Sequence, residues 1–312
     1  MANRIPIASA PPAAGGYILP FEQGDILTQG LLMEAGAIAL AGDARATGVN
    51  KTQFAIWLGA PTAGFVGEGA AKPATGAEFN QTVMNVKKVA AIVLFTDEMI
   101  EDVQGGDLNV LVDSGVRQAI ADVIDANAVG MTKGTAIGAP NFDSWLTQTT
   151  ASVEYDQTKP DGLQLAISAA MGILEANGYG NPSQMGVLLG FGFAQKLRDA
   201  RSSLDTSMPI FGAGTGRDPL YGLSNWTSTN LTNAGAAPAA TDFLGFVVHR
   251  PNLHVRIRKD VTLATSSEAT VNDGTTDRKL FQEDLTAVRY ETRLAFMVHD
   301  INRAVVAIKN AT

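Results

Sequence analysis

The chain has 312 residues, of which 46% are hydrophobic and 17% charged, and its formal net charge at pH 7 is −8. This length suggests two domains or one large irregular domain. The absence of cysteine excludes disulfides and thiolate metal sites, and makes a reducing compartment the default. The acidic balance argues against a protein that grips DNA or RNA through many phosphates. The basic runs RIRK (Arg256 to Lys259) and KK (Lys87 and Lys88) are typical of solvated strand ends.

The first 25 residues are proline-rich, and they predict an extended arm rather than a signal peptide. Residues 26–41 have helical tendency but are broken by Gly30 and Gly36. No apolar run approaches the ~20 residues that a membrane span needs.

A glycine-rich segment from Gly64 to Gly76 lies between two predicted strands, and it carries Glu68 and Lys72 among alanines. The strands are TQFAIWL (52–58), which alternates, and a second one from about residue 79 to 96. The second strand ends in VAAIVLF, apolar on both faces, so we expect both faces there to be buried. Because two strands cannot bury a core, the tip is predicted to lie on another molecule. The alternative is a mobile surface loop with solvated charges.

Two helices are predicted next. The first, TDEMIEDV, has Thr96 or Asp97 as its N-cap. The second begins at Asp107 and runs to about Met131, roughly 37 Å at 1.5 Å per residue. Its apolar residues recur at three- and four-residue spacing. The members of this stripe are Leu108, Leu111, Val112, Val116, Ala119, Ile120, Val123, Ile124 and Asn127.

The last third of the chain predicts long strands. LHVRIRKDVTLAT (253–265) alternates, and a turn-rich tip with the signal NDG follows it. Between residues 286 and 298 the even positions are mostly apolar, whereas the odd positions include Arg289, Glu291 and Arg293. One face of this strand is therefore predicted to pack, and the other to carry a ladder of charges.

The sequence motifs for metal binding and catalysis are weak. His249, His254 and His299 lack the spacing of a metal site and suit structural roles. There is no Gly-x-Ser-x-Gly elbow and no His-Glu-x-x-His motif. Neighbouring acids such as those at 283 and 284 diverge on a strand, so they are poor candidates for shared acid–base work. We predict no catalytic residue, no metal site and no cofactor.

The order of several segments resembles the major capsid proteins of tailed double-stranded-DNA bacteriophages, whose fold encapsulins share. The segments are AAGGYILP, EGAAKP (68–73), F-x5-N-V-K-K-V-A (79–90), TDEMIED, and LFQEDLTAVRYETRLAFMVHDINRAVVAI. The resemblance covers roughly residues 13–309. No single motif is highly specific, but their order and spacing together are.

This resemblance implies an α+β phage major-capsid fold. Its parts would be an N-terminal arm (1–48), an extended β-hairpin loop (49–90), a peripheral domain with a long spine helix (91–134), an axial domain (135–250), and long antiparallel strands of the peripheral domain (251–312).

In this family the extended loop lies across the adjacent subunit, and some members join a loop lysine to an asparagine with the help of a glutamate. Lys72 falls at the lysine place and Glu291 at about the glutamate place, but Asp284 stands where asparagine is needed. An ionised carboxylate is a poor acyl acceptor, so we expect a salt bridge or no bond. Six charged residues are candidates for contacts between subunits: Glu68, Lys72, Asp284, Arg289, Glu291 and Arg293.

The function implied is that of a structural subunit, not an enzyme, which self-assembles into hexamers and pentamers of an icosahedral virion shell around packaged double-stranded DNA. The DNA would be enclosed without sequence-specific binding, and no membrane is involved. Further partners would be portal and decoration proteins. Some relatives carry a long N-terminal scaffolding segment, but only about a dozen residues precede the matching arm here, so the resemblance implies a separate scaffold or none. Assembly would take place in the cytoplasm of the bacterial host. Two alternatives stay open: an encapsulin-type nanocompartment shell, and a soluble oligomeric enzyme.

Overall fold

A computed structural model describes residues 35–57, 63–74, 79–102, 107–156, 159, 162–194, 223–231 and 242–310. The predicted arm over the first 25 residues, and most of the helical segment 26–41, lie outside the described residues. The described helices are α1 (Gly36–Leu40), α2 (Asp97–Asp102), α3 (Asp107–Val129), α4 (Gly162–Ala176) and α5 (Ile301–Ala304). Short 3-10 helices span Leu146–Gln148, Pro182–Gln184, Arg250–Asn252 and Leu280–Gln282.

The described strands are β1 (Asp43–Ala46), β2 (Lys51–Trp57), β3 (Phe79–Asn85), β4 (Lys87–Thr96), β5 (Met131–Thr132), β6 (Thr135–Ala136), β7 (Ser152–Tyr155), β8 (Met185–Gly190), β9 (Ser224–Ser228), β10 (Phe243–His249), β11 (Leu253–Ser266), β12 (Thr270–Asn272), β13 (Asp277–Lys279), β14 (Leu285–Val298) and β15 (Val305–Asn310). Among the described residues, β2–β3, β5–β6 and β12–β13 form separate two-stranded ribbons.

A four-stranded sheet has the order β1-β11-β14-β4, in which β14 is antiparallel to both β11 and β4. Alternate side chains of β14 point into the main core, as its sequence pattern predicts: Val288, Tyr290, Leu294, Phe296 and Val298. Val89, Ala91, Val93 and Phe95 of β4 pack against the same core. We call the opposite side, which faces away from that core, the outer face of the sheet.

The prediction that both faces of β4 are buried is wrong for the outer face. Ile92 is 49% exposed there, and Lys88 on the same face is exposed as well. The apolar character of the segment is real, but within the described residues no element of this chain covers that part of the sheet.

A five-stranded sheet has the order β7-β15-β10-β8-β9 within the described part of the chain. Every residue of β8 is buried, because helix α4 lies on one side of the sheet and the main core on the other. Residues buried on both sides account for the continuous apolar runs of β8, β10 and β15.

Helix α3 spans residues 107–129, close to its predicted bounds. Gly130, whose φ is +89°, follows directly and terminates it. Val116, Ile120 and Ile124 are buried, as the predicted stripe requires. The assignment of Ala119 and Val123 to that stripe is wrong, since both residues are exposed, Val123 at 49%. The side chains of Leu108, Leu111 and Val112 lie outside the described part of the chain. Adjacent residues differ by roughly 100° around a helix, so Val123 points away from the core that Ile124 enters.

Buried Asp125 of helix α3 holds the segment that precedes β1. Its Oδ1 accepts the amide N–H of Ala37 at 2.8 Å, and its Oδ2 accepts from the Ser228 hydroxyl and from the Asn230 side-chain amide, the latter at 3.1 Å. Burial raises the pKa of Asp125, whereas these hydrogen bonds act in the opposite direction. The carboxylate thereby joins three segments that are distant in sequence, and α1 becomes part of the core.

Candidate subunit interface

The extended loop is a hairpin whose root is fixed to the rest of the chain. Strands β2 and β3 pair from Lys51 with Asn85 to Trp57 with Phe79. At the root, Met84 is 1% exposed and belongs to a small core with Ala295 and Met297 of β14, against which Phe54 packs. These two β14 residues lie on the outer face of the sheet, so the loop root covers one end of that face.

A cluster of charges around Asp43 joins the loop root to the sheet. Its Oδ2 lies 2.7 Å from the Arg256 guanidinium and 2.8 Å from Nδ1 of His254, and Arg45 binds Oδ1 at 2.7 Å. The Phe54 ring stacks on His254 with centroids 4.8 Å apart, and Arg256 lies 5.4 Å from the same ring. Partial burial raises the pKa of Asp43, but its hydrogen bonds to Arg256 and His254 and the charges of Arg256 and Arg45 outweigh this and lower it to about 2.

The tip of the loop, residues 63–74, is exposed at every position. Gly69 has a φ of +78°, a conformation that glycine adopts without strain. The side chain of Phe65 is fully exposed, and Val66 beside it is 40% exposed. Glu68 and Lys72 are exposed too, and neither makes an ion pair within the described residues. Phe65 and Val66 together form a small exposed apolar patch at the tip of the loop.

Three cations lie side by side on the uncovered part of the outer face. Arg293 of β14 stands directly opposite Lys88 of β4 on one side and Lys259 of β11 on the other. We call these three residues the basic row. Glu291, the next outward residue of β14, lies 2.9 Å from the Lys88 ammonium and 3.1 Å from the Arg293 guanidinium. The Lys88 hydrogen bond and the neighbouring charges hold the pKa of Glu291 below its usual range.

The other end of β4 and β14 is acidic. Thr96 caps helix α2, because its hydroxyl accepts the amide N–H of Met99 at 3.2 Å, which decides between the two predicted caps. The Asp97 carboxylate accepts from the Thr286 hydroxyl at 2.7 Å, and the Asp97 amide donates to the Asp284 carbonyl at 2.9 Å. These bonds bring the start of α2 and the residues before β14 together. We call Asp97, Glu98, Glu283 and Asp284 the acidic edge.

The structure brings only some of the six predicted contact residues together. Arg289, Glu291 and Arg293 lie on one face of β14, and Asp284 lies just before that strand in a left-handed conformation with φ of +50°. Glu68 and Lys72 stay apart on the loop tip, and no ion pair among the described residues joins them to the other four. Sequence reasoning missed Lys88 and Lys259 as neighbours of Arg293, because only the strand register reveals that arrangement.

The described part of the chain contains no group of three or more His, Asp or Glu residues that could hold a metal ion. None of the described helices is long and apolar enough to cross a membrane. The histidines are engaged in polar and ring contacts: His249 stacks on Tyr179 at 4.3 Å between centroids, and His254 binds Asp43.

Comparison with known proteins decides the family. The Phage capsid family matches residues 15–309, nearly the whole chain. This chain belongs to the phage capsid family. The family is one of structural proteins, so this phage capsid protein is a structural capsid subunit of a virion. No curated protein matches it significantly.

Solved structures share the fold of this phage capsid protein. A chain from Mycobacterium phage Ogopogo superposes with a TM-score of 0.68 at 20% identity, covering 88% of this chain and 91% of that chain. A chain from Mycobacterium phage Bobi gives a TM-score of 0.67 at 21% identity, covering 89% and 91%. The capsid of an empty GTA particle gives 0.64 at 13% identity, covering 89% and 90%. At such identities the likeness shows the fold alone, and the fold is that of phage capsid proteins.

Proposed function

We propose that copies of this capsid subunit assemble into hexamers and pentamers, which close into an icosahedral shell around packaged double-stranded DNA. The observation that carries this proposal is the extended loop. Its root is buried against β14, whereas its tip presents a fully exposed Phe65 that its own chain does not cover within the described residues. Fully burying a phenylalanine side chain contributes roughly 1.5–3 kcal/mol, so a neighbouring subunit is the natural partner of the tip.

In this proposal the loop tip of one subunit lies across the next. Phe65 and Val66 bury apolar surface there, and Glu68 and Lys72 pair with charges of the neighbour. The four-stranded sheet and helix α3 serve as the peripheral domain, and the five-stranded sheet with α4 serves as the axial domain. Strand β15, which the resemblance assigned to the peripheral strands, is part of the five-stranded sheet. Each contact is modest, but a closed shell repeats it in every subunit, which makes the assembly strong.

The acidic net charge of the chain suits a shell that encloses DNA without binding its phosphates tightly. The formal net charge is −8, so the wall carries no general attraction for phosphates. Assembly in the cytoplasm of a bacterial host, with portal and decoration proteins as partners, completes the proposal.

Electron microscopy of the purified assembled protein tests this proposal, combined with the absorbance of the particles at 260 and 280 nm. The expected result is closed polyhedral shells, or rings of five and six, and a nucleic-acid spectrum for particles taken from infected cells. Shells from such cells that hold protein cargo instead would favour an encapsulin-type nanocompartment. Monomers alone, even with a candidate scaffold co-expressed, would contradict the shell.

A further inference from the structure

We propose that the acidic edge of one subunit docks on the basic row of the next, so that the four-stranded sheets of the shell contact one another head to tail. This inference rests on the proposed shell, and it assigns a second contact that is separate from the extended loop. Its partner is a second copy of this chain.

The basic row is unfavourable in an isolated subunit. Lys259, Arg293 and Lys88 stand directly opposite one another on three adjacent strands. Like charges directly opposite each other in a sheet are destabilising. The strand register shifts on both sides of Lys259, and such irregularities re-aim side chains. The row persists although local pairing disfavours it, which points to an anionic group outside the subunit.

Glu291 relieves only part of this repulsion. It contacts Lys88 and Arg293, but no ion pair among the described residues involves Lys259, whose side chain is exposed. Arg289, two residues along β14, is exposed on the same face and adds a further positive charge. Beside it, Ile92 leaves an apolar side chain in solvent. The uncovered surface is therefore apolar at Ile92 and positive around it.

At the acidic edge Glu283 is paired with Arg278 at 3.1 Å, but two other carboxylates have complementary character. Glu98 and Asp284 are exposed, and neither makes an ion pair within the described part of the chain. Two large apolar side chains lie beside them, Phe281 at 76% exposure and Met99 at 44%. Because Asp97 is bonded to both Thr286 and the Asp284 backbone, this surface is held in shape before any partner arrives.

The two surfaces cannot meet within one chain. Lys88 and Thr96 lie at opposite ends of β4, about 26 Å apart at ~3.3 Å per residue. The contact must therefore join different copies, and it uses different patches on each. A contact between different patches produces rings when the rotation closes, which is the geometry that hexamers and pentamers require.

A second copy suits the basic row better than nucleic acid does. Phosphates would pair with the cations but leave the exposed Ile92 in solvent. An edge that carries both carboxylates and apolar side chains satisfies the cations and covers Ile92 at the same time.

Charge reversal tests the contact. We would prepare Glu98→Lys, Lys259→Glu and the double variant, with Glu175→Lys on helix α4 and Lys133→Glu in the β5–β6 turn as exposed controls. The yield of closed shells is measured by sedimentation and electron microscopy, and the melting temperature of unassembled subunits is measured by circular dichroism. We expect each single reversal to lower shell yield at least tenfold, and the double variant to recover to within about threefold of wild type. Melting temperatures and both controls should stay unchanged.

Each other outcome overturns the contact. If the double variant stays as defective as the singles, the acidic edge does not meet the basic row. If Glu68→Lys restores Lys259→Glu and Glu98→Lys does not, the row receives the neighbour's loop tip instead. Normal Lys259→Glu shells with less nucleic acid inside would assign the row to DNA. Wild-type protein that never forms shells would overturn the shell proposal itself, a result distinct from these.

Discussion

Asp43 shows how one carboxylate depends on residues distant in sequence. Arg256 is nearly buried, with 9% of its side chain exposed, and its guanidinium donates to the Asp43 carboxylate. Removing one partner of such a pair leaves the other charge buried and uncompensated, which typically costs 3–5 kcal/mol. The partial exposure of Asp43 at 17% places this pair at or below the lower end of that range.

We predict that Asp43→Asn lowers the free energy of unfolding of the unassembled subunit by about 2–3 kcal/mol at pH 7. The pKa of Asp43 is lowered to about 2, below the ~3.9 of an unfolded aspartate. The stabilisation is therefore fully present above about pH 4 and is lost as the pH falls through about 2. Urea unfolding at pH 7 and pH 3 measures the difference.

The matched control is Glu175→Gln, at an exposed glutamate of helix α4. The difference in free energy of unfolding between wild type and Asp43→Asn should be smaller at pH 3 than at pH 7. The control should have the same free energy of unfolding as wild type at both pH values. Asp125 acts in the opposite sense, because burial raises its pKa and its ionised form is disfavoured in the folded chain. Because Asp125 is present in every variant, comparing variants at the same pH cancels its contribution to the free energy of unfolding. If the difference between wild type and Asp43→Asn is the same at pH 7 and pH 3, the role assigned to Asp43 is wrong.

Helix α3 contributes Val116, Ile120 and Ile124 to the main core. One glycine inside this helix and another directly after it have different structural roles. Gly115 lies inside the helix, where an added Cβ would meet nothing within 4 Å. Gly130 ends the helix at a φ of +89°, and an added Cβ would lie 2.2 Å from the Trp145 ring. The first glycine weakens the helix, whereas the second is required by both conformation and space.

We predict opposite effects for the two alanine substitutions. Gly115→Ala should raise the free energy of unfolding by roughly 0.5–1 kcal/mol, because alanine loses less conformational freedom in a helix. Gly130→Ala should lower it by at least ~2 kcal/mol, from the left-handed conformation and the displacement of Trp145. Thermal melting of both variants measures this. A melting temperature for Gly130→Ala at or above that of wild type would contradict the helix end described here.

In the whole molecule, the root of the loop contributes to folding of the subunit, whereas its tip is exposed and available for assembly. The root contributes Met84 to a core inside the subunit, but the tip contributes nothing to the described interior. A tip residue should therefore affect the shell and leave the subunit unchanged, whereas a root residue affects both.

We predict that Lys72→Ala and Phe65→Ala each lower the yield and heat resistance of shells, and Phe65→Ala more strongly. A surface charge pair contributes about 0.2–1 kcal/mol per contact, and burial of a phenylalanine roughly 1.5–3 kcal/mol. Unassembled subunits should melt as wild type does, since surface substitutions usually act within ~0.5 kcal/mol. Lys133→Ala is the control, and shells of normal yield and stability for both tip variants would exclude the tip from assembly.

Much of the element order could be predicted from local pattern. The alternation in 286–298 identified the core face of β14, and the periodicity of 107–129 identified helix α3. The glycine-rich tip between two strands was correctly expected to be the end of an extended hairpin. These features depend on residues two to four positions apart, which a sequence displays directly.

Burial and charge environment were less predictable. Ile92 and Val123 were expected to be buried and are exposed, because an apolar pattern does not say whether the same chain covers it. Glu291 was placed correctly on the charged face, but it lies buried between two cations rather than in solvent. The basic runs at 87–88 and 256–259 are predicted to be solvated strand ends, but Lys88 binds Glu291, and Arg256 is nearly buried against Asp43.

The sequence by itself determined helix α3, the long strands β4, β11 and β14, the family to which this capsid subunit belongs, and the position of its loop. Only the tertiary structure decided which charges meet: Asp43 with Arg256, Lys88 with Glu291, and the basic row across β11, β14 and β4. The physical reason is the separation along the sequence between the residues that determine each feature. Periodicity is set by neighbours along the chain, whereas ion pairs and uncovered faces arise from strand register between segments that are distant in sequence.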